Sequence, residues 1–415
     1  MLICSALLMF ASFSAFASEE ISISVKDQEL LVQRYPAQGK HLIVWIAPGW
    51  GSREQSFKLI EDLAQSGIEV WHVDILDSLF LQRSSSSMRG LGGIYVEELL
   101  KQAHQQSGKS IVLISRSYGA VPLLRGAREW QLKHPSADYF KGAIIFSPDL
   151  YSGAPALGMQ PDYLPIVDAT NISLVIFQGS KRGNRWQLEE LTRRLESGGA
   201  QVYVKILKNI NSVFFEPSRA EISRQQMSEI KHHLMWTIAL LDRLPRPAPG
   251  VKQIAKLSTK HTGLDDRLKP FKANPIPLGL SLTDAKGSNF ARSDYRGKVT
   301  VVNFWATWCG PCVREIPSLN RLRRLMEGTP FELISVNYAE SAEEIQEFMK
   351  TVNVDFPVLM DSDGQVAANW RVVVFPSTFV IGPSGRIELG ANAGLEWDTK
   401  EVVDKLKRLL PKKKQ

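Results

Sequence analysis

A pair of closely spaced cysteines constrains this chain more than any other feature. Cys309 and Cys312 enclose Gly-Pro, and they follow the apolar run Val299–Trp305, whose β-branched and aromatic residues predict a buried strand. From Val313 to Met326, apolar residues recur at helical spacing. The two cysteines are therefore expected where a strand passes into the first turn of a helix.

That position predicts a redox-active dithiol. Unpaired N–H groups and the dipole at the start of a helix favour an anion, so the pKa of the Cys309 thiol is expected to be lowered. Cys312, one turn further on, can close a disulfide with it. A zinc site would need a second CxxC or CxxH, which the sequence lacks. A purely structural disulfide would stabilise the fold little, because it closes so short a loop. We therefore expect thiol–disulfide exchange, with no metal and no cofactor.

Length and charge set further limits. A chain of 415 residues is too long for one ordinary core, so two domains are expected. The net charge of +7 is a mild basic bias that would suit anionic membrane surfaces or acidic partners. Basic residues are not interleaved with aromatic ones, and binding to nucleic acid is therefore not expected.

Residues 1–17 predict a signal peptide. They are apolar and end in Ala15-Phe16-Ala17, a small-x-small cleavage pattern, although no Lys or Arg precedes Lys26. Cleavage would remove Cys4 and leave one cysteine pair. In an exported protein, a single pair is expected to be redox-active rather than a structural crosslink. We expect a periplasmic protein, and the alternative is a membrane anchor formed by an uncleaved N-terminus. No later segment approaches the ~20 apolar residues of a membrane span.

A proline-rich segment predicts the domain boundary. Pro245, Pro247 and Pro249 end a helical pattern and are followed by a polar, lysine-rich stretch. Residues 20–244 are therefore assigned to a first domain, residues 245–276 to a semi-rigid linker, and residues 277–411 to a second domain.

Both domains are predicted to be α/β. Strands and helices alternate in the first, which favours a mostly parallel sheet with helices on both faces. Its expected strands are 42–47, 69–73, 110–114, 142–146, 174–177 and 203–207, with helical patterns at 57–66, 95–106, 187–197 and 218–242. The second domain is smaller, with a hairpin at 280–292 and a mixed sheet. Its other elements are strands at 299–305, 331–337, 377–381 and 386–389, and helices after Cys312, at 342–351 and at 399–410.

Several motifs of the second domain resemble one family. The strings NFWATWCGPC at 303–312, RExP at 314–317 and FPSTF at 375–379 are similar to those of exported thioredoxin-fold thiol:disulfide oxidoreductases of the TlpA/ResA kind. The resemblance covers roughly a third of the chain. It implies that Cys309 is the solvent-facing attacking thiol, that Cys312 is the buried resolving thiol, and that Pro376 is a cis-proline facing the disulfide.

The same resemblance assigns roles to three neighbouring side chains. Glu315 matches an acidic residue that tunes the cysteine pair and relays a proton, with an ordinary surface glutamate as the alternative. Trp308 is expected to shield the site. Phe375, preceded by Val374, stands where the family has a modest side chain preceded by glycine, so we expect a narrower or more apolar substrate groove.

The resemblance also implies the direction of electron flow. Relatives of this kind mostly reduce protein disulfides and draw electrons from a membrane thiol transporter, and Gly-Pro between the cysteines favours the same direction. In the expected cycle the Cys309 thiolate attacks a substrate disulfide, and Cys312 then resolves the mixed disulfide.

The first domain resembles an α/β-hydrolase. The string ISRSYGA at 114–120 is similar to a nucleophile elbow, with Ser117 in the nucleophile position and Ser115 replacing the usual glycine. The loop at 47–51, APGWG, resembles one that supplies an oxyanion-hole N–H. The segment 74–79 is distantly similar to VirJ-type bacterial virulence proteins.

The predicted catalytic triad is incomplete. Residues 180–185 contain no carboxylate and residues 209–214 no histidine, at the two positions where hydrolases of this pattern place the acid and the base. A serine without a base is a poor nucleophile. Asp149 could supply an acid but no base, and His232 and His233 lie on the following helix. We expect a non-catalytic binding domain; the alternatives are a serine hydrolase acting on a lipid or ester, and an adaptor whose cysteines sense redox state.

Overall fold

The computed structural model describes residues 18–208, 210, 224–245, 267–285, 287–290 and 296–411. The expected signal peptide and residues 246–266 of the expected linker lie outside the described residues. Within them the chain forms two compact units. The first comprises 18–145, 172–174 and 224–245, and the second comprises 146–171, 175–208, 210 and the residues from 267 onward. This division by packing does not coincide with the boundary predicted from the prolines.

The first sheet contains eight strands, which follow the chain as β1 to β8. They are Glu19–Val25, Gln28–Tyr35, His41–Ile46, Glu69–Val73, Ser110–Arg116, Phe140–Phe146, Ser173–Gly179 and Gln201–Leu207, in the order β1-β2-β4-β3-β5-β6-β7-β8. β3 pairs in parallel with β4 and β5. Its residues after His41 are all buried, as expected for a strand covered on both faces.

Every predicted strand of this region is present, with ends shifted by two residues at most. The antiparallel hairpin of β1 and β2 was not predicted. Its first strand reads Ile-Ser-Ile-Ser-Val, an alternation that is typical of a half-buried strand, and Ile23 and Val25 are indeed buried.

Seven α-helices accompany these strands in the described residues, and the last of them follows β8. They are α1 Glu54–Gln65, α2 Ile75–Ser78, α3 Ser85–Gly90, α4 Ile94–Ser107, α5 Ala120–Lys133, α6 Leu188–Gly198 and α7 Arg224–Leu241. In α1 the buried residues Leu59, Ile60 and Leu63 recur at helical spacing and form its inner face. No helix in the described parts of the chain has both the length and the apolar character needed to cross a membrane.

The second sheet is mixed, as predicted. Its strands are β9 Lys269–Pro270, β12 Val299–Trp305, β13 Phe331–Tyr338, β14 Val358–Asp361, β15 Ser377–Ile381 and β16 Ile387–Ala391, in the order β14-β13-β12-β15-β16-β9. β12 pairs in parallel with β13 and antiparallel with β15. β14 was not predicted, because a run of only four residues carries little periodicity.

A separate short hairpin and four helices accompany the second sheet in the described residues. The hairpin pairs β10 Leu282–Thr283 with β11 Asn289–Phe290, inside the predicted range 280–292. The helices are α8 Gly310–Leu325, α9 Ala342–Met349, α10 Gln365–Asn369 and α11 Lys400–Leu409.

Strand β9 lies in a segment that the sequence assigns to the linker. Lys269 and Pro270 pair with Gly390 and Leu389 of β16, and the Phe271 N–H donates to the carbonyl of Glu388. Leu268 is only 2% exposed and belongs to the core of this unit. Burial of the Leu268 side chain holds this segment against the sheet, although its local sequence has the composition of a linker.

The core of the second unit fixes the start of α8. All seven residues of β12 are buried, and Trp305 at its end is 1% exposed. Trp305, Cys312, Ile316 and Leu319 share one apolar cluster. Because the end of the strand and one face of the helix are buried together, the turn that carries the cysteines has a fixed geometry.

Candidate redox site

The two cysteines form a disulfide at the beginning of α8. Cys309 is the N-cap residue, and its Sγ lies 2.01 Å from that of Cys312. The Cys312 backbone N–H donates to the Cys309 Sγ at 3.3 Å. The predicted passage from a strand into a helix is confirmed. In the reduced protein this N–H and the helix dipole would stabilise a thiolate on Cys309.

The exposure of the two sulfur-bearing residues differs less than expected. Cys312 is fully buried, and Cys309 is 6% exposed. The predicted solvent-facing character of Cys309 is therefore wrong for this oxidised form, although Cys309 is the more accessible of the two. The reason is that Cys309 belongs to an apolar cluster against which the half-buried Trp308 and Phe375 pack.

Pro376 lies in the loop that enters β15. The peptide bond between Phe375 and Pro376 is cis, which confirms the isomer implied by the sequence motif. Ser377, the next residue, pairs with Phe304 in β12, the strand that leads to the cysteines. The loop before β15 is thus tied through the sheet to the strand that carries the dithiol.

Three aromatic side chains meet at this loop. The Phe375 ring contacts Trp308 and Tyr338, with ring centroids 5.7 and 4.9 Å away. Tyr338 ends β13 and is 3% exposed. Burial, with a smaller contribution from Asp361, raises its pKa to about 12, so the phenol stays protonated and can donate a hydrogen bond. No sequence signal marks Tyr338, because it ends an ordinary apolar strand.

Glu315 is a buried carboxylic acid on α8. It is 2% exposed, so the alternative of a surface glutamate is wrong. Asn303 Nδ2 donates to its Oε1 at 2.8 Å, while Trp397 Nε1 and the Leu395 N–H donate to its Oε2 at 3.0 and 3.1 Å. Burial raises the pKa of Glu315 to about 7, against the opposing effect of these hydrogen bonds. The group can therefore gain or lose a proton near neutral pH.

A second buried carboxyl, Glu340, supports the loop before the cysteines. It is 5% exposed and accepts hydrogen bonds from the N–H of Thr307 at 2.8 Å, from the Thr307 hydroxyl, and from Asn337 Nδ2 at 2.7 Å. Burial outweighs these bonds and raises its pKa. Sequence reasoning missed Glu340 because it precedes an acidic run in which Ser341 and Glu344 form a capping box.

Ser117 belongs to the first unit. It follows β5 directly, begins a single 3-10 turn that leads into α5, and has a φ of +50°. Gly119 packs closely, since a Cβ there would lie 3.3 Å from the carbonyl oxygen of Ala47. A serine in a left-handed conformation at a tight strand-to-helix turn matches the geometry expected of a nucleophile elbow.

The other candidates for a hydrolase site lie on other elements or outside the described residues. Residues 209 and 211–214, where a base was sought, lie outside the described residues. His232 is exposed and His233 half-buried on α7. Asp149, in the second unit, is engaged by Arg182 and Asn184. Within the described parts of the chain, no group of three or more His, Cys, Asp or Glu side chains could hold a metal ion.

The following matches to known sequences cover part of the chain. Residues 267–389 match the AhpC/TSA family. ResA of Bacillus subtilis (strain 168), a thiol-disulfide oxidoreductase, is 38% identical over 106 residues, which are 26% of this chain and 59% of that protein. ResA of Geobacillus kaustophilus is 37% identical over 107 residues, and the match spans 62% of its length. The chain thus spans about three fifths of the length of these relatives.

Solved structures give matches of similar extent. A putative thiol:disulfide interchange protein DsbE from Chlorobium tepidum is 25% identical with a TM-score of 0.31, over 33% of this chain and 97% of that one. A putative protein disulfide isomerase from Bacteroides thetaiotaomicron is 23% identical with a TM-score of 0.31, over 34% and 93%. From the sequence matches, the chain is related over part of its length to thiol-disulfide oxidoreductases.

Proposed function

We propose that this protein is an exported thiol-disulfide oxidoreductase that reduces protein disulfides through Cys309 and Cys312. The observation that carries the proposal is the cysteine pair at the N-terminus of α8, where a backbone N–H points at the Cys309 sulfur. The similarity to ResA over 106 residues supports it. Export rests on the apolar residues 1–17 of the sequence.

The proposed cycle conserves electrons and protons. The Cys309 thiolate attacks one sulfur of a substrate disulfide, and the other sulfur leaves as a thiolate that takes up a proton. Cys312 loses its proton and attacks the Cys309 sulfur, which releases the second substrate thiol and leaves the Cys309–Cys312 disulfide. Two electrons have then passed to the substrate. A membrane thiol transporter is the proposed donor that restores the dithiol.

Glu315 is the proposed proton carrier for the second step. It lies one turn after Cys312 on α8 and is buried with it in the same unit. An acid whose pKa is about 7 can accept a proton at neutral pH and return it with little cost in free energy. Pro376 and Phe375 are the proposed contacts for the substrate chain, and Trp308 shields the sulfurs from water.

Trapping of a mixed disulfide tests the proposal. The Cys312→Ala protein, reduced and then mixed with a protein disulfide, should retain its substrate through Cys309, because no second thiol can resolve the intermediate. Non-reducing electrophoresis should show an adduct that disappears on reduction. The control is the Cys309→Ala/Cys312→Ala double variant, which should retain nothing. Equal amounts of adduct with both proteins would refute the assignment of Cys309 as the attacking thiol.

The alternative function, a serine hydrolase, is favoured by one observation, the left-handed conformation of Ser117 at the end of β5. We propose instead that the predicted first domain, residues 20–244, is α/β-hydrolase-like in fold and binds a ligand without catalysis. General-base assistance is typically worth about 10²–10⁴-fold, and the sequence offers no histidine at the expected position.

Esterase activity should therefore be negligible. On short-chain p-nitrophenyl esters we expect the wild-type protein and Ser117→Ala to give the same rate, close to that of buffer, because the sequence has no histidine where hydrolases of this pattern place the base. Release of nitrophenolate measures it. Hydrolysis that is well above buffer and lost in Ser117→Ala would establish the alternative function.

A further inference from the structure

A loop of the second unit, residues 181–186, lies against the aromatic side chains of the redox site. The Tyr338 hydroxyl donates to the carbonyl of Arg182 at 2.9 Å. Trp186 Nε1 donates to the carbonyl of Val372 at 2.9 Å. Tyr338 contacts the Phe375 ring, and Val372 lies three residues before it in the same segment. The 181–186 loop is thus attached at two points beside Phe375.

Between these two attachments, the loop backbone contacts Phe375 directly. Gly183 is buried, and a Cβ built on it would lie 2.6 Å from Cε2 and 3.2 Å from Cδ2 of the Phe375 ring. Real carbon atoms do not approach so closely, so any side chain at position 183 would displace the ring or the loop. Glycine is required here by the close approach alone.

The 181–186 loop makes further contacts within the second unit. Asp149, only 8% exposed, accepts from Arg182 Nη2 at 2.9 Å and from Asn184 Nδ2 at 3.0 Å. Lys181 Nζ lies 2.9 Å from a carboxylate oxygen of Glu344, the residue that completes the capping box of α9. A loop held by charged and neutral contacts at several residues is preorganised rather than free to adapt to a ligand.

We propose that the 181–186 loop forms one wall of the groove through which the redox site receives its substrate. By holding Phe375 against Trp308 and Tyr338, the loop sets the space beside Pro376 and Cys309. That space suits a disulfide in an extended polypeptide whose neighbouring apolar side chain packs on the aromatic cluster. Residues 181–186 are positioning residues for substrate selection, so a segment distant in sequence helps to choose the disulfide that is reduced. The inference rests on the proposed function.

The test compares a protein disulfide with a small one. In single-turnover reactions of the reduced full-length protein, we measure the rates with insulin and with dipyridyl disulfide. In Gly183→Ala the added methyl group must displace the Phe375 ring or the loop, and either shift changes the shape of the groove wall. The ratio of the insulin rate to the dipyridyl disulfide rate should fall about fivefold or more, as expected for one forced side-chain displacement.

Two further variants make the result specific. Trp186→Phe keeps an aromatic ring but removes the N–H that donates to Val372, and it should lower the same ratio about twofold or more. Gly279→Ala is the matched control, because Gly279 is exposed and a Cβ there would meet no atom within 4 Å. It should keep both rates of the wild-type protein.

Other outcomes would contradict a specific claim. An unchanged ratio in both Gly183→Ala and Trp186→Phe would refute the proposal that the 181–186 loop forms a wall of the groove. An equal fall of both rates would also overturn it, because the loop would then act only through the stability of the unit. If the wild-type protein reduced neither disulfide, the proposed function itself would fail. Failure of the wall alone would leave wild-type reduction of insulin intact.

Discussion

Replacement of Cys309 by serine is expected to lower the rate of insulin reduction by more than about 1,000-fold, since a nucleophile essential to every turnover is lost. A serine hydroxyl remains protonated at neutral pH and forms no disulfide, so neither the attack nor the mixed intermediate remains possible. The fold should survive, because position 309 is the N-cap of α8 and serine is among the preferred N-cap residues. The measurement is the single-turnover rate with reduced protein, which avoids background from an added reductant.

Cys312→Ser separates the two thiols in the same assay. This variant keeps the attacking Cys309 and should form an adduct with substrate that it cannot resolve, whereas Cys309→Ser should form none. Both variants should unfold at similar denaturant concentrations when compared with the reduced wild-type protein. A Cys309→Ser protein that still forms an adduct would mean that the roles of the two cysteines are reversed, and the helix N-terminus would then not determine which thiol attacks.

The position of the dithiol could be predicted from sequence because it depends on local signals. An apolar strand, two cysteines and an amphipathic helix follow one another within 28 residues, from Val299 to Met326, and each is recognisable by its own period or composition. The antiparallel pairing of β15 with β12 was not predicted, beyond the expectation of a mixed sheet. Local pattern thus determines the elements, while the pairing of strands depends on contacts that no local window contains.

Burial of the carboxyl groups could not be predicted in the same way. The hydrogen-bond donors to Glu315 come from Asn303, 12 residues before it, and from Leu395 and Trp397, 80 and 82 residues after it. No window of local sequence contains these partners, and a surface role therefore remained open. Glu340 presents the same difficulty, because its partner Thr307 is 33 residues away.

Contacts between residues still farther apart in the chain explain why the 181–186 loop was not predicted as part of the groove. The bulk of Phe375 predicted a narrower groove. The contacts that join the 181–186 loop to the surroundings of Phe375 are distant in the chain, however. Tyr338 and Arg182 are 156 residues apart, and Trp186 and Val372 are 186 residues apart. The proline-rich segment suggested that the chain divides near residue 245. Packing instead groups residues 146–171 and 175–208 with the redox site.

Glu315→Gln is expected to change how the stability of the oxidised protein depends on pH. The pKa of Glu315 is raised to about 7 in the folded protein by burial, above its ordinary value of 4.5. The protonated acid is therefore favoured by folding, so the free energy of unfolding is highest at low pH and falls as pH rises from the ordinary value through about 7. From pH 5 to pH 8, Glu315 should lower the free energy of unfolding of the wild-type protein by about 2 to 3 kcal/mol.

Glutamine at this position stays neutral and removes that dependence. Its amide has one acceptor oxygen for the three donors that face Glu315, which costs about 1–2 kcal/mol at every pH. The sign of the comparison therefore depends on pH: Glu315→Gln should be the less stable protein at pH 5 and should equal or exceed the wild-type protein at pH 8. Urea unfolding of both oxidised proteins at the two pH values measures the change, and Glu327→Gln, at an exposed position, is the control.

The titration of Glu315 should also affect the rate of the redox reaction. If Glu315 accepts the proton of Cys312, release of the substrate from the mixed disulfide should accelerate between pH 6 and pH 8 in the wild-type protein and lose that inflection in Glu315→Gln. Parallel stability profiles of the two proteins would place the pKa of Glu315 in its ordinary range, and the proton-carrier role would then be lost. A pH-dependent stability difference without a change in the rate profile would make Glu315 a buried acid that the redox reaction does not use. Because the stability measurement requires no substrate, its result is independent of whether reduction of protein disulfides is the true activity.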